Sequence, residues 1–102
     1  MIHEHLEVGK ENAKTGKELA AILGVNIRFV TEQIERERRD GHLICASTDY
    51  PYGYFIGKND AEVEIYCNQL KNRAIQIFIT RKAMLKGLEE RNKAESFSDC
   101  LG

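Results

Sequence analysis

Residues 19–30 read LAAILGVNIRFV, and Gly24 at their centre limits what this chain can become. An apolar stripe of Leu19, Ile22 and Leu23, at helical spacing, runs up to it. A second stripe, Ile27, Val30 and Ile34, begins three residues later. Two helices joined by so little chain cannot lie side by side along their full length, so they must cross steeply. Gly24 suits the position just past a helix end, where a positive φ carries no Cβ penalty. Ala20 is small enough for two helices that nearly touch.

The flanking residues bound both helices. Thr15, with Glu18 three residues on, fits a capping box, and Asn26 is a good N-cap for the second helix. That helix exposes Arg28, Thr31, Glu32, Glu35 and Arg38, and Asp40-Gly41 stops it. Leu43, Ile44 and Cys45 then suit one strand, and Tyr54, Phe55 and Ile56 another. Between them lie Gly53 and Pro51, the one proline of the chain. Residues 41–58 are therefore expected to form a β-hairpin with a loop longer than two residues. Residues 2–8 read as a short helix or a frayed arm.

From Asn59 the period changes again. Asn59 with Glu62 fits another capping box. Val63, Cys67, Leu70, Ala74, Ile77, Arg81, Met84 and Leu88 alternate spacings of four and three, a heptad seam that Phe78 and Leu85 widen. A helix from residue 60 to about Ala94 would be ~50 Å long. That is more than a small domain covers along one side, and a second copy is the simplest partner. Arg81 interrupts the seam, which argues against a dry continuous interface. The expected fold class is mainly α with a small β-hairpin. It has a helix-pair-and-hairpin domain over 1–58, a long helix over 59–94 that joins copies, and a flexible tail over 95–102.

Composition excludes several classes. Among 102 residues the formal net charge is -1, so this is no strongly basic chain that coats nucleic acid indiscriminately. No apolar stretch approaches the ~20 residues of a membrane span, and the N-terminal residues hold no apolar signal core. The expectation is a cytoplasmic protein without membrane contact. Cys45, Cys67 and Cys100 form no CxxC pair and read as reduced thiols, two of them in apolar surroundings. His3 and His5 bracket Glu4 without a third ligand and are expected to be exposed, with no metal and no cofactor. There is no GxSxG, P-loop or HExxH. His42 and Cys45 are three apart, which on a strand points them to opposite faces. No catalytic set emerges, and an enzyme is not expected.

The segments GKELAAILGVNIRFVTEQI (16–34) and RERRDGHLICASTDYPYGYFI (36–56) together resemble the winged helix-turn-helix family. They look most like small phage or prophage proteins of Gram-positive bacteria, over roughly residues 15–58. The resemblance implies that Leu19, Leu23, Val25, Val30 and Ile34 glue the helices together and that the second helix enters the major groove of double-stranded DNA. Carried over by position, this implicates Asn26, Arg28, Thr31, Glu32 and Glu35, with Arg28 suited to a guanine edge and Asn26 and Thr31 to phosphate or base. Thr15 and Lys17 suit a phosphate. The wing would offer Ser47, Thr48, Tyr50 and Tyr52 to the DNA backbone or minor groove, and Lys58 closes the hairpin. In the dimer, Leu70, Ala74, Ile77, Phe78, Met84, Leu85 and Leu88 would form the interface. The implied function is a transcriptional regulator or a replication-associated factor.

One position departs from the pattern. Glu37 stands where the family often has an apolar residue, which would make the helix end more polar and leave Arg36, Arg38 and Arg39 outside or half outside. Charge also tempers the reading. Residues 10–58 hold eight Lys and Arg against seven Asp and Glu. Glu32 and Glu35 flank Arg28, and the wing tip carries Asp49 and no cation. A monomer would bind DNA weakly, and two joined copies would double the contacts. The alternative is a winged-helix interaction module or assembly adaptor that docks on protein instead.

Overall fold

The computed structural model describes residues 1–101, with side chains through Ala94. The protein is mainly helical, with a two-stranded antiparallel hairpin and a long C-terminal helix. In chain order these are α1 (Gly16–Leu23), α2 (Ile27–Arg39), β1 (Ile44–Ser47), β2 (Gly53–Ile56) and α3 (Asp60–Leu101). Short 3-10 turns at Ile2–His5 and Lys10–Asn12 precede α1. The chain divides into two compact units, Met1–Cys67 and Asn68–Gly102.

In the first unit the caps form as the sequence predicts. Thr15 Oγ1 accepts the Glu18 N–H at 3.1 Å, and Asn26 Oδ1 accepts the Phe29 N–H at 2.7 Å. Each satisfies one donor that the first helical turn leaves orphaned, worth about 1 kcal/mol. Gly24 ends α1 at φ 67, ψ 35, and the Val25 N–H reaches back to the Ala20 carbonyl at 3.0 Å. Asn59 Oδ1 caps α3 by accepting the Glu62 N–H at 2.9 Å.

The hairpin pairs Ile44 with Ile56 and Ser47 with Gly53. The outer edge of β2 is not left open, which would be a liability for a short sheet. Residues 7–14 run along it: Ile56 donates to the Glu7 carbonyl and Gly9 to the Ile56 carbonyl, both at 2.9 Å. Lys14 and Tyr54 exchange both backbone hydrogen bonds. Tyr54 can come that close because Gly53, at φ 122, has no Cβ to strike the Lys14 carbonyl.

Two apolar clusters result. Ile2, Leu6, Leu19, Ala20, Val30, Ile34 and Ile44 form the larger, with Leu23, Val25, Tyr54 and Ile56 against it. Cys45, Phe55 and Tyr66 form the smaller, with Val63 beside them. The first turns of α3 thus pack on the outer face of the hairpin through Val63 and Tyr66, and Val63 serves this cluster although it opens the heptad pattern. Ile22 and Ile27, counted in the helical stripes, are instead more than half exposed. Residues 2–8 are no frayed arm, because Ile2 and Leu6 are buried.

Three further expectations are corrected. Cys45 is buried but Cys67 is exposed, because Tyr66 takes the inward position of that helical turn; the Cys100 side chain lies outside the described residues. Arg38 is not on the exposed face of α2. Its Nε donates to the Ile44 carbonyl at 2.8 Å, and its guanidinium carbon lies 4.9 Å from the Tyr66 ring centroid and 5.8 Å from that of Tyr54. The aromatic faces offset the cost of the half-buried charge, whose Nη2 has no hydrogen-bond partner. Glu37 does not make the helix end more polar, since it is fully buried.

In the second unit, α3 carries its helix assignment to Leu101, beyond the expected end near Ala94. No proline intervenes to stop it. The side chains of 95–102, and the looseness expected of that tail, lie outside the described residues. Leu70, Ala74, Ile77, Phe78, Met84, Leu85 and Leu88 are all exposed, Phe78 and Met84 to about 70%. No helix is long and apolar enough to cross a membrane among the described residues.

Candidate nucleic-acid interface

The candidate residues fall into three local groups on the first unit. Asn26, Arg28, Thr31 and Glu32 occupy the first two turns of α2, and all four are exposed. The Arg28 side chain is 88% exposed, the freest of the ion-paired groups on this unit. Its Nε donates to Glu32 Oε1 at 3.1 Å, an i,i+4 pair worth a few tenths of a kcal/mol in water. Arg28 is therefore held by so little that a stronger acceptor can take it. Glu35 makes the same kind of pair with Arg39 at 3.4 Å. Thr31 Oγ1 donates to the Ile27 carbonyl, and the Asn26 oxygen is occupied by the cap, which leaves its amide N–H donors.

Ser47, Thr48, Tyr50 and Tyr52 cluster at the far end of the hairpin. Ser47 Oγ donates to the Asp49 carbonyl at 2.7 Å and accepts the Asp49 N–H at 3.2 Å, which folds the loop back on the strand. Tyr50 and Tyr52 stand beyond it, 84% and 56% exposed, edge to face with ring centroids 6.1 Å apart. Of the three hairpin tyrosines only Tyr54 packs on the core. The loop is not without a cation, since Lys10 from the second 3-10 turn brings its Nζ to 3.8 Å from the Asp49 carboxylate. Sequence distance hid that pairing.

Thr15 and Lys17 make the third group at the start of α1, where Thr15 is half-buried in its cap and Lys17 is exposed. Lys58 is exposed at the end of the hairpin, and its N–H donates to Glu62 Oε1. No hydrogen bond or ion pair links the α2 group to the loop group among the described residues. Each is set in place by the common core beneath it.

Behind α2 lies the constellation that the sequence pattern concealed. The buried Glu37 carboxylate accepts the Ile2 N–H at 3.0 Å and the His3 N–H at 2.8 Å, and pairs with His3 Nδ1. Its desolvation favours the neutral acid. Those hydrogen bonds, with one from Gln33, more than reverse this and hold the carboxyl at about 2 instead of the ordinary 4.5. The His3 ring stacks on His42, centroids 3.6 Å apart. His3 is thus committed to a structural contact rather than free for a metal. Among the described residues, no three His, Cys, Asp or Glu side chains converge as a metal site. Burial also pushes the Cys45 thiol up from its ordinary value, away from the thiolate that a nucleophile needs.

The chain matches no protein-family model, no curated protein and no solved structure.

Proposed function

We propose that this chain is a winged helix-turn-helix protein that binds double-stranded DNA as a dimer. In this reading α2 enters the major groove, the hairpin is the wing, and α3 joins two copies. The observation that carries it is a succession of features on one unit. Two capped helices turn at Gly24, the exposed start of α2 presents Arg28, and an antiparallel hairpin follows with two tyrosines at its tip. The resemblance of residues 15–58 to small phage and prophage regulators supports the same reading and suggests a role in transcription or replication. A cytoplasmic setting fits that role.

Selection of bound sequences from a random duplex pool tests it. The wild type should enrich a motif, repeated as two half-sites if the dimer binds as one. Arg28→Ala should flatten preference at one position of each half-site, at a cost of about 1–3 kcal/mol there. A variant that keeps both affinity and motif would show that α2 is not the reading helix. The second reading, a winged-helix adaptor that docks on protein, is favoured by the carboxylates that pair with Arg28 and Arg39. It predicts no salt-dependent DNA binding even at low ionic strength.

A further inference from the structure

The two units differ in the sign of their charge. Residues 1–67 hold eight Lys and Arg against twelve Asp and Glu, a net of -4. Between Glu64 and Glu89 the order reverses. That stretch contains five cations, Lys71, Arg73, Arg81, Lys82 and Lys86, and no carboxylate at all. All five lie on α3 and are exposed, and none makes an ion pair among the described residues. Three of the four cations of α2 contrast with them: Arg28 and Arg39 each hold a carboxylate one turn away, and Arg38 is turned inward. That leaves Arg36 as the one exposed α2 cation without an ion pair among the described residues.

Helical geometry sorts the five. Lys71 and Lys82 are eleven residues apart, close to three full turns, and Lys86 follows one turn later. The three lysines therefore share one stripe, roughly 22 Å from end to end. It runs beside the apolar seam of Leu70, Ile77 and Met84, so a partner helix on the seam would leave the lysines facing outward. Ile75 and Ile79 lie on the lysine side of the helix, both exposed. That arrangement does not suit a helix lying flat on a lipid surface, which needs its apolar residues confined to one side.

We infer that the surface which neutralises DNA phosphates is this lysine stripe of α3, not the acidic first unit, and that its ligand is the backbone of duplex DNA. Duplex DNA carries one charge per ~1.7 Å of axis, so the stripe spans on the order of a dozen of them. The inference rests on the DNA-binding reading above and divides its labour. The start of α2 selects sequence, while α3 supplies the attraction that an acidic unit cannot. Two copies joined along the seam would present six such lysines.

The test is a titration of a labelled duplex with the full chain between ~50 and ~200 mM salt, giving the slope of log K against log salt. Replacing Lys71, Lys82 and Lys86 together by Gln, a fair helix former, should weaken binding at least tenfold. It should also make the slope shallower by about 0.9 for each phosphate that is no longer neutralised. Replacing the same three by Arg should keep the wild-type slope, and circular dichroism checks that α3 persists in both. Arg28→Ala should lose sequence preference while most of the slope survives. If the triple Gln variant binds with unchanged slope and affinity, the stripe is not the phosphate surface, although the DNA-binding reading stands. If the wild type binds no duplex at low salt, that reading fails and takes the inference with it. Tighter binding of the wild type to phosphatidylserine-rich vesicles than to duplex would overturn the inference in favour of a membrane surface.

Discussion

Glu37 lies one turn beyond Ile34, on the face of α2 that Val30 and Ile34 bury. Two backbone N–H groups depend on it. Glu37→Leu fills similar space but leaves a buried and a half-buried donor without an acceptor, at about 1–3 kcal/mol each. The expected loss is ~2–6 kcal/mol, read as a lower urea midpoint at an unchanged m-value. The pH dependence has a definite sign. The folded carboxyl sits at about 2, below its ordinary 4.5, so its contribution is complete above the ordinary value and drains away as pH falls toward the folded one. Wild-type midpoints should drop across that acid window. Glu37→Gln, which carries no titrating group, should start lower and drop less. Equal acid slopes in both proteins would mean that other carboxylates govern acid unfolding.

At the scale of elements, two glycines with positive φ separate two kinds of constraint. Gly24 has open space where a Cβ would sit, so Gly24→Ala should cost about 1 kcal/mol of backbone strain. Gly53 has the Lys14 backbone there instead. Gly53→Ala should cost clearly more and should undock residues 7–14 from β2, visible as faster amide exchange at Lys14 and Tyr54. Equal losses at the two sites would show that conformation, not the close approach, makes Gly53 necessary. These elements also mark how far the sequence can be read. Thr15, Gly24 and Asn26 act through neighbours at most four residues away, so their roles follow from local spacing. Glu37 acts on Ile2 and His3 from 35 and 34 residues along the chain. Its sequence signal, a carboxylate at the apolar spacing of 30, 34 and 37, reads equally well as a polar helix end. Arg38 is obscured in the same way, because Tyr66 comes to it from α3. The exposed candidates, from Arg28 to Tyr52, are legible because exposure follows from being off the apolar stripe. Lys10, which meets Asp49 across the loop, is not.

For the whole molecule, the exposed residues on α3 set the main expectation. Ile77, Phe78, Met84 and Leu85 present far more apolar surface than a lone helix keeps in water without a partner. The protein is expected to be a dimer by light scattering at micromolar concentrations. Ile77→Glu should convert it to monomers whose first unit still unfolds cooperatively, because no core residue of that unit is altered. A wild-type monomer at high concentration would remove the seam as an interface. The proposed dimer and the proposed phosphate surface would be separable, since one would use the apolar positions and the other the cations beside them.

The hydrogen bonds from Ile2 and His3 to Glu37 bear on how this protein would be cleared. Ile2 is both a buried core side chain and a donor to a buried carboxylate, while Met1 before it is largely exposed. Cleavage just after Ile2 would remove core packing and one donor to Glu37 in a single cut, and would turn the His3 N–H into an ammonium beside the same carboxylate. Loss of Ile2 from the core is therefore expected to lower the stability of the first unit, read as faster cleavage by a non-specific protease.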